Sequence, residues 1–119
     1  ISYINKISET KPDLIKLMIT GGVLDAKKKG EPGELKMSPE IIKAACDRAH
    51  ELGYKVAAHV ESPLGVKLAL ENGVDTIEHG AKLTDEIINL FNYFNSAKYL
   101  IVLTICDVYE FSLSYQETT

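Results

Sequence analysis

The chain contains an apolar stretch with a single lysine in it, LIKLMITGG at residues 14–22. A strand that is apolar on both faces is typical of a parallel sheet covered by helices, and burial there would desolvate the Lys16 ammonium group. Two more short apolar runs have a histidine near the carboxyl end, VAAH at residues 56–59 and VDTIEHG at residues 74–80. A lysine and two histidines near the ends of three different strands predict a functional site.

Helical and extended segments alternate along the chain. Isoleucines at helical spacing precede Pro12, and we predict strands over residues 13–20, 54–60, 74–79 and 99–105. Helix starts are predicted where a hydroxyl side chain precedes a proline or an acid, at Ser38, Ser62 and Thr84. Residues 21–37 combine four glycines and a proline with no periodicity, which predicts a long loop.

The apolar residues of these helices predict which face of each helix is buried. The expected core faces are Ile41, Ala45, Ala49 and Leu52 in the first helix, Leu64 and Leu68 in the second, and Ile87, Phe91 and Phe94 in the third.

The order β-α-β-α-β-α-β predicts an α/β fold with a parallel sheet, in a single domain over residues 1–119. A doubly wound sheet or part of a TIM-type (β/α)8 barrel would satisfy this order. The polar residues near the carboxyl ends of the strands favour the barrel, because barrel enzymes assemble their sites there.

Composition excludes several classes of function. A net charge of −4 argues against binding to nucleic acid, and no apolar stretch approaches the roughly 20 residues that span a bilayer. Cys46 and Cys106 form no paired motif, and Cys46 is expected to be a small core residue. The first residue is not Met and no signal peptide is visible, so we expect a piece of a longer protein with a cytoplasmic location.

Alternation along the strands predicts which side chains share the site. Lys16 shares one face of its strand with Met18, and this face lies opposite the one that carries its apolar neighbours. His59 and His79 are expected to project to the same side of the sheet as Lys16. A lone lysine could instead extend to water, and a lone histidine is more often structural, but the two histidines together favour a metal ion. His50 lies mid-helix and is expected to be a partly exposed residue outside the site.

Two histidines do not complete a zinc site, which requires about four ligands. A neutral lysine amine reacts with carbon dioxide to give a carbamate, whose two oxygens can bridge a pair of cations. This chemistry would explain a lysine at a ligand position.

The motifs DLIK (13–16), TGGV (20–23), AAH (57–59) and GVDTIEHG (73–80) resemble those of the amidohydrolase superfamily. The resemblance covers about residues 10–105 and is strongest to the imidazolonepropionase-related branch, which includes Xaa-Pro dipeptidases. It implies a metal-dependent hydrolase of amide or dipeptide C–N bonds, with this chain as about strands four to seven of the barrel.

The resemblance also implies roles for individual residues. Lys16 would be carboxylated and bridge two divalent metals, for which zinc is expected, and His59 and His79 would bind the second metal. The metals would activate the water that attacks the scissile carbonyl of a small-molecule substrate.

Departures from the family's pattern limit these expectations. The chain has no counterpart of the family's His-x-His pair or of its catalytic aspartate, since Asp107 comes one repeat too early, and Leu103-Thr104 stands where relatives tend to have Pro-Thr. The chain alone is therefore expected to be inactive. Four strands would also leave sheet edges and an apolar face open, which predicts a homo-oligomer.

Two other functions fit parts of the pattern. A Schiff-base aldolase would use a desolvated Lys16 as its nucleophile, and carbonyl-dependent borohydride trapping would reveal it. A truncated α/β module that only folds or binds would show neither metal nor covalent chemistry.

Overall fold

The structure is a computed structural model that describes residues 1–22, 33–82, 84–94 and 100–102. The strands are β1 (Ile15–Met18), β2 (Val56–Val60), β3 (Thr76–His79) and β4 (Leu100–Val102). The helices are α1 (Ser2–Ser8), α2 (Pro39–Glu51), α3 (Pro63–Glu71) and α4 (Asp85–Tyr93). The lysine cluster at 27–29, Cys106, Asp107 and the tail to Thr119 lie outside the described residues.

The four strands form one sheet in the order β1-β2-β3-β4, and each neighbouring pair is parallel. The prediction of parallel β/α repeats is confirmed. A doubly wound sheet reverses its strand order at a switch point, whereas a barrel adds each new strand beside the last. The consecutive order of the described strands therefore favours the barrel arrangement.

Three helices begin as their sequences predict. The side-chain oxygens of Ser38, Ser62 and Thr84 each accept a hydrogen bond from the backbone N–H three residues later. Pro39 and Pro63 follow two of these caps at the first helical position, where no intrahelical N–H is needed.

Strands β2 and β3 begin two residues later than predicted, because the backbone N–H groups just before them bond to carbonyls of the preceding helices. Gly53 and Gly73 adopt positive φ angles of 86° and 96° after α2 and α3. The next residues, Tyr54 and Val74, donate their N–H groups back to Ala49 and to Ala69 of the preceding helices. These bonds close the helix ends, so the ladder starts only after them.

The core lies between the sheet and the helices. Alternate strand residues fill it, including Ile15, Leu17 and Ile19 from the first strand region and Val56, Ala58 and Val60 from the second. The expected face of α4 is confirmed, since Ile87 is buried and Phe91 and Phe94 pack against the core.

The predicted faces of α2 and α3 are partly wrong. Ile41 is 57% exposed and Leu64 is also exposed, whereas Ile42 and Val66 are fully buried. Adjacent residues lie 100° apart around a helix, so choosing the neighbouring isoleucine rotates the predicted face of α2 by that angle. Ile42 lies on the side of Ala45 and Ala49, which are buried as expected.

Helix α3 approaches the ends of β1 and β2 closely at Gly65. A Cβ atom there would lie 2.6 Å from Thr20 Cγ2 and 2.7 Å from Val60 Cγ1. Glycine is therefore required at this helical position, and the contact fixes α3 against the carboxyl ends of both strands.

Asp75 joins the amino ends of β2 and β3 to α2. Its carboxylate accepts hydrogen bonds from Val56 N at 2.8 Å and from His50 Nε2 at 2.6 Å, and its own N–H donates to Val56 O. Burial alone would raise the pKa of Asp75, but the hydrogen bonds from His50 and Val56 and the charges of His50 and Lys55 together lower it. His50 is partly exposed on α2, as predicted, and takes part in this anchor.

We predict that Asp75→Asn destabilises the fold by about 1–2 kcal/mol at pH 7, because it removes a charged acceptor from partly buried hydrogen bonds. The folded pKa of Asp75 lies below its unfolded value, so its contribution is present above about pH 4 and is lost as pH falls through the folded pKa. Urea unfolding at a series of pH values measures both effects.

Asp47→Asn is the matched control, since Asp47 pairs with Lys43 on the exposed face of α2 and should change stability little. A stability difference between wild type and Asp75→Asn that grows as the pH falls below about 4 would contradict the anchor.

Candidate metal centre

The register of the sheet brings the carboxyl ends of three strands together. Met18 lies opposite His59, and His59 lies opposite Glu78 on the next strand. His79, the last residue of β3, lies opposite Val60. Side chains at these ends therefore meet at one edge of the sheet, where parallel α/β proteins bind their ligands.

His59 and His79 are in direct contact. Their ring centroids are 4.7 Å apart and the rings form an edge-to-face pair at 70°. His59 Nε2 and His79 Nδ1 are buried and have no hydrogen-bond partner among the described residues. Buried polar atoms nearly always have a hydrogen-bond partner, so two such nitrogens side by side require a partner that the described residues do not provide.

His79 reaches His59 through a departure from regular strand geometry. The face that Ile77 and Asp75 share was predicted to point inward, but Ile77 is buried in the helix-side core and Asp75 bonds to α2. His79 instead has a φ of 73°, and the N–H of Gly80 donates to Glu78 O across it in a γ-turn. A non-glycine residue pays about 1–3 kcal/mol for such a backbone, which is typical of functional sites.

The environment keeps His79 in its neutral form. Burial lowers the pKa of His79, and the nearby charges of His59 and Lys16 lower it further, while Glu78 opposes them. Neutral imidazole is the form that binds metal ions. At neutral pH this ring is therefore ready to act as a ligand without first losing a proton.

Glu61 belongs to the same cluster and was missed by the sequence analysis. One carboxylate oxygen of Glu61 and one nitrogen from each of His59 and His79 all lie within 4.8 Å of one another. Glu61 is only 6% exposed and follows the end of β2. Its spacing, two residues after His59, was the available signal.

Gly22 leaves the space beside this cluster open. A Cβ atom at this position would lie 3.4 Å from His59 Nε2 and 3.6 Å from Glu61 Oε2. The neighbouring Gly21 donates its N–H to Glu34 O, so this turn is held by the returning loop. A side chain at position 22 would therefore be in van der Waals contact with both groups of the cluster.

Lys16 lies on the side of the sheet that faces away from the helices, as its parity predicts. Its neighbours Ile15 and Leu17 are buried, while Lys16 and Met18 are exposed. The predicted desolvation of Lys16 is therefore wrong for this chain, because the helices cover only the other face of the described sheet. A Schiff-base nucleophile needs a desolvated amine, so this exposure also argues against the aldolase alternative.

Cys46 is a core residue, as predicted. It is fully buried, and burial, with the charges of Asp75 and Asp47, raises the pKa of its thiol to about 12. The thiol stays protonated and does not act as a nucleophile.

The fold and sequence are similar to those of solved hydrolases. A putative prolidase from Bifidobacterium longum is 39% identical with a TM-score of 0.69, and the match covers 87% of this chain and 25% of that one. A Xaa-Pro dipeptidase is 30% identical with a TM-score of 0.74, and the match covers 87% of this chain and 24% of the dipeptidase. These similarities place the chain in the amidohydrolase superfamily. An ochratoxinase from A. niger is 25% identical with a TM-score of 0.70, and the match covers 90% of this chain and 23% of the ochratoxinase. This similarity agrees with the assignment.

This amidohydrolase chain spans about a quarter of the length of those solved structures. Uncharacterized proteins from Mycobacterium bovis and Mycobacterium tuberculosis are 45% identical over 53 residues, which is 44% of this chain and 14% of each relative. No protein-family model matches the chain. Within its described residues, no helix has the length and apolar character needed to cross a membrane.

The cluster fits a divalent metal ion. It offers two nitrogens without a hydrogen-bond partner in the described part of the chain and a nearby carboxylate, and this donor set suits zinc and related transition metals.

Proposed function

We propose that this chain is part of a metal-dependent hydrolase that cleaves the C–N bond of a dipeptide or related small amide. The contact between His59 and His79 is the observation that most supports the proposal, because each ring has a buried nitrogen that no described residue hydrogen-bonds. Its support also includes the similarity to a Xaa-Pro dipeptidase.

In this proposal residues 1–119 form one partial barrel domain that supplies about strands four to seven. Lys16 would end the fourth strand, and His59 and His79 would end the fifth and sixth. Zinc is the proposed metal, bound by imidazole nitrogens at the strand ends. When bound, a divalent metal polarises a carbonyl and lowers the pKa of water.

The chain's own residues prepare the site for that ion. The lowered pKa of His79 keeps its ring unprotonated, and the γ-turn directs the ring toward His59. Lys16, on the face that would line the barrel, is proposed to carry a carbamate formed from carbon dioxide, which replaces its positive charge with a negative one. Because Lys16 is exposed here, we expect carbamate formation to need further cover over this face.

The proposed site is incomplete as a two-metal centre. The chain has three histidines, and His50 takes part in the Asp75 anchor at the opposite end of the sheet. Histidines are therefore available for one ion only. We propose that hydrolysis requires ligands and a proton-transferring acid from elsewhere, and that this chain alone is inactive.

In a longer protein that contains this chain, we predict that Lys16→Ala and Lys16→Arg each abolish hydrolysis of Xaa-Pro dipeptides. Alanine has no amine, and a guanidinium is not deprotonated to react with carbon dioxide. Dipeptide turnover and the zinc content of the purified variants are the measurements. Near-normal turnover in either variant would refute the carbamate role.

For the same protein, His59→Asn and His79→Asn should each lower zinc content and activity by at least tenfold, since each removes a ligand. His50→Asn is the matched control and should retain zinc, although it loosens the anchor to Asp75. Equal zinc loss in all three variants would show that the effect comes from folding.

We further propose that the isolated chain self-associates through the sheet face opposite the helices. Met18 is 52% exposed on this face, and β1 is an edge strand of the described sheet. We predict a dimer or larger homo-oligomer that covers residues 54–60 and the neighbouring strands, detected by light scattering at micromolar concentration.

Met18→Glu should weaken this association, because it places a charge on the proposed contact face. Tyr93→Glu changes an exposed apolar residue on α4, away from that face, and serves as the control. A folded monomer for the unmodified chain would contradict the proposal.

A further inference from the structure

We propose that Glu61, together with His59 and His79, forms a three-ligand site that binds one divalent transition-metal ion without Lys16 or its carbamate. The inference rests on the proposed function for the ligand roles of His59 and His79. It adds a carboxylate ligand from this chain itself. The site would then be complete for one ion within residues 59–79.

The separations among the three ligand atoms suit this role after a small adjustment. All lie within 4.8 Å of one another. Zinc bonds to nitrogen and oxygen measure about 2.0–2.2 Å, which places ligand atoms about 3.3 Å apart in a tetrahedron. The atoms therefore need to approach by at most about 1.5 Å to bind one ion.

Glu61 is held in place by the backbone rather than by a mobile turn. The buried hydroxyl of Thr20, at the end of β1, accepts the Glu61 N–H at 2.9 Å and donates to Gly21 O at 2.9 Å. On its other side, the Glu61 carbonyl lies where a Cβ on Gly33 would come within 2.6 Å, so the returning loop packs directly against it. The carboxylate therefore starts from a fixed point next to His59.

Two neutral histidines and one glutamate are a known donor set for catalytic zinc, and they leave a coordination position open. The same set with open positions also suits ferrous iron. In this chain the Glu61 carboxylate supplies the negative charge that a Lys16 carbamate would otherwise bring. Because Lys16 is exposed, a site that does not depend on its modification is the simpler one for this chain.

Glu78 provides a matched control for the charge. It lies beside His79 on β3, opposite His59 in the register, and its carboxylate accepts a hydrogen bond from Thr76 Oγ1 at 3.4 Å. Its charge acts on His79, yet it is not a member of the three-ligand cluster. Glu78→Gln therefore removes an equal nearby charge without removing a proposed ligand.

The test is calorimetric titration of the full chain with zinc chloride in buffer freed of carbon dioxide. We expect one zinc per chain, at least a tenfold loss of affinity in Glu61→Gln, and less than a threefold change in Glu78→Gln. Titration with cobalt gives a second readout, since its visible absorption should change in Glu61→Gln and remain unchanged in Glu78→Gln. Circular dichroism confirms folding, and Glu61→Asp, which keeps the charge on a shorter side chain, should lose less affinity than Glu61→Gln.

Equal affinities for Glu61→Gln and Glu78→Gln would overturn the inference, as would zinc binding that appears only when bicarbonate is added. If His59→Asn and His79→Asn still prevent binding in that case, the proposed function stands without Glu61. If instead Glu61 is required for binding but a longer protein with bound zinc hydrolyses no amide, the inference stands and the proposed function fails.

Discussion

Burial of one face of the parallel sheet is the constraint on which the rest of this structure depends. Ile15 and Leu17 must pack beneath the helices, as must Ala58 and Ile77, and side chains alternate along each strand. A slip of one residue in any strand would expose this set, so the register is fixed. That register aligns the ends of β1, β2 and β3. Packing of the apolar side chains therefore determines where the polar groups at the strand ends meet.

The two ends of the sheet then serve different purposes. At the amino end, the Asp75 carboxylate binds Val56 and His50, so its hydrogen-bonding capacity is used to hold strands and helix together. At the carboxyl end, His59 and His79 keep a buried nitrogen each without a partner among the described residues. Satisfied polar groups at one end stabilise the fold, and unsatisfied ones at the other are available to a ligand. The strained γ-turn at His79 lies at the end where a ligand could offset its cost.

Much of this arrangement can be predicted from the sequence, because local chemistry determines it. The caps at Ser38, Ser62 and Thr84 depend only on adjacent residues, and the parallel sheet follows from strands apolar on both faces. The position of His59 follows from simple alternation. His79 does reach His59 as expected, but not by alternation, since Ile77 on the same strand face is buried in the core and only the turn at His79 brings the ring to the site. Prediction failed where a contact distant in sequence decides. The place of Glu61 in the cluster with the two histidines depends on its hydrogen bond to Thr20. Thr20 lies 41 residues earlier in the chain and becomes a neighbour of Glu61 only through the register of the sheet.

Anomalous X-ray scattering tests whether the strand ends of this chain form a metal centre. Crystals of the chain grown with zinc would be measured on both sides of the zinc absorption edge. We predict an anomalous peak within about 2.0–2.2 Å of both His59 Nε2 and His79 Nδ1. Peaks found only elsewhere, with these two nitrogens hydrogen-bonded to protein groups instead, would contradict it.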